Sequence, residues 1–226
     1  MTYSDYRQMA RDNLASNWST AIGVSFVAAL LGGMFAGGNV NLTLDLDEEI
    51  LYRLPDAIIS LIAVLGTVGG FLSLAQFIVG GPVQLGYAQI LLKQYHGQEY
   101  EMNDLFARFQ DFKQGFLQYF LRGLYTALWS LLFIVPGIIA HYKYFLAPYL
   151  MADNPNMTAK EAIAASTELM DGHKGELFML GLTFIGWDIL AGLTLGIGYL
   201  WLNPYKHAAY TAFYRELLMR RRAIEG

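Results

Sequence analysis

Asp188 is the only charged residue between Glu176 and Lys206. A carboxylate in so apolar a setting must find a cation or take up a proton. The cations within the apolar parts of the chain are Lys143, Arg122 and Lys206, with His141 close to the first and His207 beside the last. Ionisable groups at membrane depth are costly and by default mark function. Asp188, Lys143, His141, Arg122, Lys206 and His207 are therefore the candidate intramembrane polar site. An Asp188–Lys143 pair could line a polar pathway or hold a lipid headgroup. The plainer account puts Asp188 near a wet interface and lets the Lys143 stem snorkel. A second set, His173, Lys174, Arg220, Arg221 and Arg222, could contact anionic headgroups at about 1 kcal/mol per charge. Charged flanks of this kind are also ordinary topology signals.

Enzyme signatures are missing. The four histidines, His96, His141, His173 and His207, show no H-E-x-x-H or similar ligand spacing, and there is no G-x-S-x-G, P-loop or dinucleotide fingerprint. No catalytic residue, metal ligand or cofactor is expected. A membrane hydrolase assembled from Asp188, His141 and His207 is the weakest alternative. With no cysteine, disulfides, thiolate sites and Cys nucleophiles are excluded. A net charge of -4 argues against nucleic acid as a partner.

The elements that would carry these residues are apolar and long. Hydrophobic residues make up 55% of the chain and charged residues 15%, against about 25% charged in an ordinary soluble domain. No Asp, Glu, Lys or Arg occurs over 57–92, 123–142 or 189–205. Roughly 20 apolar residues cross a bilayer, so the chain reads as an all-α polytopic membrane protein forming a single transmembrane domain.

Tyr3 to Ser16 predicts an interfacial helix with Tyr6, Met9, Ala10 and Leu14 on one face. About sixteen polar and amphipathic residues thus precede the first apolar run, which suits a retained anchor better than a cleaved signal. The first span is expected from Trp18 to Phe35. An acidic extracytoplasmic loop follows to Asp56, holding Asp45, Asp47, Glu48 and Glu49 against Arg53. Gly69-Gly70 and Gly80-Gly81-Pro82 predict a break or kink, leaving one crossing from about Phe71 to Leu92 after an apolar helix that lies against the bundle or the outer interface; two crossings are the alternative. Asn103 or Asp104 would cap a short helix with Leu105, Phe106, Phe109 and Phe112 on one side. Later spans are expected at Phe116–Val135, Ile138–Met151, Leu177–Leu195 and Tyr199–Leu218. Thr158 and Glu161 predict a capping box opening an amphipathic helix.

Charge then sets the orientation. Arg7, Arg11, Lys93, Arg108, Lys113, Lys160, Lys174, Arg215, Arg220, Arg221 and Arg222 fall on one side of this arrangement, and only Arg53 on the other. By the positive-inside rule the chain has six spans with both termini cytoplasmic. Gly123-Leu124, Leu128-Trp129 and Leu131-Leu132 are echoed by Gly181-Leu182, Gly186-Trp187 and Ile189-Leu190. Three repeated units, each an interfacial helix and a hairpin, are one way to read that echo; chance likeness between apolar helices is the other.

Several ordered stretches resemble a bacterial membrane-protein family catalogued as domain of unknown function 975. They are Gly81-Pro82-Val83-Gln84-Leu85-Gly86, 129–139, Ala152-Asp153-Asn154-Pro155, Glu168-Leu169-Met170 with Gly172-His173-Lys174, Phe184-Ile185-Gly186-Trp187, 193–198, Trp201-Leu202 with Pro204-Tyr205, and Phe213-Tyr214. The resemblance runs from about residue 80 onward. It implies a polytopic protein of a bacterial cytoplasmic membrane and brings no activity with it. The function expected from all this is non-enzymatic: binding lipids or amphiphiles, or assembling with a membrane partner or a second copy. The alternative is a small transporter or channel around Asp188 and Lys143.

Overall fold

The computed structural model describes residues 1–15, 17–32 and 55–225. All regular structure among them is helical: α1 (Tyr3–Leu14), α2 (Trp18–Gly32), α3 (Asp56–Tyr95), a 3-10 helix (Met102–Asp111), α4 (Phe112–Leu132), α5 (Ile134–Lys143), α6 (Ala147–Asp153), α7 (Ala159–Leu169), α8 (Lys174–Leu182), α9 (Ile185–Leu193) and α10 (Tyr199–Glu225). The acidic loop expected before Asp56 lies outside the described residues.

Two helical stretches, Gly69–Tyr95 and Lys174–Leu193, are long and apolar enough to cross a membrane, or three if the bent pair α1 and α2 is one span. This is fewer than the six expected. The shortfall has local causes. The span expected at Ile138–Met151 is two short helices, α5 and α6, because Pro148 sits in the first turn of the second and starts it afresh. The span expected at Leu177–Leu195 remains one of the two counted stretches, although its helix is interrupted at Thr183 and Phe184 between α8 and α9. In the other direction, α3 is one unbroken helix of 40 residues through Gly69-Gly70 and Gly80-Gly81-Pro82. Apolar surroundings favour continuous backbone hydrogen bonding over a break. The glycines there serve close packing instead: a Cβ on Gly81 would strike the backbone of Gly115 in α4, and one on Gly86 the carbonyl of Leu105.

The element order repeats. A capping box opens α1 (Thr2 with Asp5), the 3-10 helix (Glu101 with Asp104) and α7 (Thr158 with Glu161). Asp104 thus closes a box that starts at Glu101, rather than capping the helix itself. Apolar helices follow each time, out through α2, α4 or α8–α9 and back through α3, α5–α6 or α10. The amphipathic faces turn inward onto protein. α1 packs along α10, the 3-10 helix on α3, and α7 on α6. Tyr6, Ala10 and Leu14 are buried, with the Tyr6 ring edge-on to Phe213 at 5.8 Å. Tryptophan, leucine and isoleucine side chains at the hairpin ends stay uncovered: Leu131, Ile134, Ile189, Leu193, Leu195 and Trp201 are all exposed.

At the opposite end the three returning helices meet. Arg215 of α10 donates to Asp153 Oδ2 at the end of α6 (2.9 Å) and to His96 Nε2 just past α3 (2.6 Å). The Tyr214 hydroxyl donates to the same Asp153 oxygen at 2.8 Å.

The boxes make the interfacial helices acid-sensitive. The Glu161 carboxylate accepts from the Thr158 N–H, which together with the Thr158 hydroxyl holds its pKa below the usual value. At Asp104, burial pushes the carboxyl up, but hydrogen bonds from Lys93 and the Glu101 N–H outweigh it and the net shift is down. A folded-state pKa lower than the unfolded one gives stability that is full above the unfolded pKa and is lost as pH falls through the folded one. The thermal midpoint should therefore fall as pH drops below about 4, and Glu161→Gln should flatten that fall. A melt of wild type and variant at pH 3 to 7 checks both.

Candidate functional site

Of the six residues expected to form an intramembrane polar site, the structure joins two. Lys206 donates to both carboxylate oxygens of Asp188 at 3.0 Å. Both sit in one hairpin, α9 carrying the acid and α10 the amine, and the Tyr199 hydroxyl donates to the Asp188 carbonyl at 3.1 Å. The hairpin turn that sets this register uses φ +55 at Leu195 and φ +88 at Gly196. Thr194 closes it by accepting from the Gly198 N–H at 2.8 Å.

The partner of Asp188 is thus Lys206 and not Lys143. Lys143 ends α5, its ammonium 5.6 Å from the Tyr144 ring, and its carbonyl accepts from Ser166 Oγ of α7. His141 is exposed and meets Tyr142 and Phe145 edge-on. His207 is half-buried between the rings of Tyr87 and Tyr210. Arg122, midway along α4, donates to the Gln84 side-chain oxygen of α3 at 2.9 Å. A polar pathway running from Asp188 to Lys143 is therefore not assembled by these contacts, nor is a hydrogen-bonded acid–histidine set.

The second group is drawn together and largely neutralised. His173 and Arg220 share Glu176, at 2.9 and 3.2 Å. Lys174 pairs with Asp171 at 2.9 Å and Arg221 with Glu168 at 3.6 Å. Arg222 is exposed. Arg220 thereby ties the end of α10 to the start of α8, and Arg221 ties it to the end of α7.

Two clefts were not foreseen. One, of about 510 Å³, lies between the α4–α5 hairpin (Trp129, Pro136, Ile139) and the α7–α8 junction (Asp171, Lys174), with Lys143 on its wall. The other, of about 420 Å³, lies between the α9–α10 hairpin (Trp187, Leu190, Trp201) and the α1–α2 junction (Arg11, Trp18). In each, an apolar hairpin faces a helix junction with a cation, Lys174 beside Glu168 and Asp171 in the first and Arg11 in the second. The corresponding place between the α2–α3 hairpin and the 3-10 helix is where Gly81 and Gly86 bring backbones into contact.

A further signal lay in plain view in the sequence. Gln114, Gln118, Arg122, Thr126 and Ser130 recur at every fourth residue of α4, which places successive side chains on one slowly winding row. Gln114 accepts from the Ala159 N–H at 3.1 Å, and Ser130 donates to the Thr126 carbonyl at 2.9 Å. Gln118 is fully buried and neither its oxygen nor its nitrogen finds a hydrogen-bond partner among the described residues.

The likeness to known proteins now has a place on this frame. Residues 131–221 match a family model described as "Protein of unknown function (DUF975)". No curated protein and no solved structure matches the chain. The DUF975 match takes in α5 to most of α10, hence the Asp188–Lys206 pair and Lys143. Arg122, Gln118 and the stretch from Gly81 to Ser130 lie before it.

The ion pair can be weighed directly. Asp188 and Lys206 are 29% and 23% exposed, between the surface case worth under about 1 kcal/mol and the buried case worth several. Lys206→Ala strands the carboxylate in an apolar hairpin, whereas Asp188→Asn leaves a flexible ammonium able to reach water. A double-mutant cycle on thermal stability should give a coupling of roughly 1–2 kcal/mol, with Lys206→Ala the costlier single change.

Proposed function

We propose that this is a non-enzymatic membrane protein that takes up single lipid or amphiphile molecules in its two clefts. The observation that carries this reading is the make-up of those clefts, in which tryptophans and aliphatic residues of a hairpin face either the start of α8 with Lys174 or the last turn of α1 with Arg11. Tryptophan favours the boundary between chains and headgroups, and a cation at the same level suits a phosphate. Both clefts continue onto exposed apolar hairpin ends, where acyl chains can lie. Substituting the tryptophans tests it. Trp187→Ala with Trp201→Ala in one cleft, and Trp129→Ala in the other, should each lower the lipid retained after detergent purification, read by mass spectrometry. Unchanged lipid content in both variants would sink the reading.

The architecture behind it is three copies of one unit. Supporting this are the three capping boxes and a spacing in the returning helices: Gly80, Gly137 and Gly198 are each followed seven residues later by a tyrosine, Tyr87, Tyr144 and Tyr205. Each of these glycines also faces the outgoing helix of its own hairpin, at Gly32, Ser130 and Ala191 respectively. Each amphipathic helix packs on the returning helix of another copy, so the three close into a ring. We take each hairpin to go out and back, with both termini and all three amphipathic helices on the cytoplasmic side of a bacterial cytoplasmic membrane. The sequence contains no cysteine, so single cysteines report topology cleanly. An impermeant maleimide added to intact cells should label Ile134→Cys and Ile197→Cys and spare Ser4→Cys and Lys160→Cys. Hairpins that only dip into the membrane would leave all four unlabelled.

A further inference from the structure

The middle of α4 holds a cation without an anion. Arg122 stands ten residues from either end of that helix, and among the described residues no carboxylate lies within ion-pairing distance of it. Its one hydrogen bond is to a neutral amide oxygen, that of Gln84. A guanidinium carries five N–H donors in a planar fork, so most of its capacity is unspent. One turn back on the same row, Gln118 is fully buried and its amide makes no hydrogen bond. An unsatisfied buried amide costs about 1–3 kcal/mol, and an uncompensated charge in an apolar bundle costs more. Here the two costs fall one turn apart on a single helix face, whereas Lys93, Arg215, Lys174, Lys206 and Arg220 each have a carboxylate partner.

We infer that Arg122, Gln118 and Gln84 form an oxyanion site inside the helical bundle. The guanidinium holds two oxygens of a phosphate-like group, and the Gln118 amide donates to the same group. Bidentate binding of this kind is what an arginine does and a lysine does not. No carboxylate is among the groups facing the guanidinium: Gln84 comes from α3, and Tyr149 of α6, His141 of α5 and Tyr119 of α4 itself stand within electrostatic reach. A bound anion supplies the missing charge. The site is separate from the two clefts and stands whether or not they hold lipid.

The test uses full-length protein in phosphatidylcholine nanodiscs, with inorganic phosphate titrated in one arm and phosphatidylglycerol replacing part of the lipid in the other. The thermal midpoint of the wild type should rise in at least one arm. A rise with phosphatidylglycerol alone identifies a lipid headgroup, and a rise with free phosphate identifies a soluble oxyanion. Arg122→Gln should raise the midpoint of the anion-free protein and abolish the response. Should Arg122→Gln not fold, Arg122→Lys keeps the charge and Gln118→Leu keeps the arginine, and each should weaken the response at least fivefold. A wild type indifferent to both anions overturns the inference, as does a response that survives these substitutions intact.

Discussion

The fold hangs on a shared charge where the ends of the three returning helices meet. Arg215 reaches both Asp153 and His96, so one guanidinium ties α10 to the ends of α6 and α3. Tyr214 adds its hydroxyl to Asp153. Because the three returning helices are pinned there, each presents its flank to an amphipathic helix from elsewhere in the chain. The hairpins can then diverge toward their apolar ends without the bundle falling apart. Close approach is left to small residues, since lipid provides no hydrophobic force to press helices together.

That arrangement explains where polarity is tolerated. Near the pinned end, charges form a balanced network running from Lys93 and Asp104 to Glu176 and Arg220. Further along the hairpins stand the Asp188–Lys206 pair, Lys143 and the lone Arg122. The first is a local brace of one hairpin. Arg122 belongs to the interior, on a helix whose polar row has no counterpart in α2 or α9. The three amphipathic helices look alike in sequence pattern, yet the spaces beside them differ. Two stay open, while Gly81 and Gly86 allow the third to be packed shut.

Much of this was legible in the amino-acid sequence, and what was not has physical reasons. The all-helical class, the Thr158–Glu161 box and the bounds of α7 follow from local chemistry. Helix starts such as Phe112 and Lys174 were placed a few residues late, because polar first turns extend beyond the apolar runs. The continuity of α3 through its glycines and Pro82 was not legible, since a glycine that breaks a helix in water can serve packing in lipid. The pairing of Asp188 was open because distances between hairpins are set by turns, and Lys206 comes within reach only through the left-handed backbone at Leu195 and Gly196. The row through Gln118 and Arg122 was readable at every fourth residue but looked like scattered polar residues until burial singled out Gln118.

The contact of α1 with α10 has a consequence for biosynthesis. The ring closes between the first and the last of the described helices, so α1 emerges from the ribosome long before its partner exists. At about 5–20 residues per second the wait is on the order of ten to forty seconds. Through that interval Tyr6, Ala10 and Leu14 lack the α10 surface that covers them in the finished fold, and for a chain held at a membrane the headgroup layer is the apolar phase at hand. An amphipathic helix suits that wait, for it can rest at the headgroups and later exchange lipid for α10. Assembly would then end with the oldest segment of the chain, and a ribosome stalled before Tyr199 would leave the third unit without its returning helix and α1 without its partner.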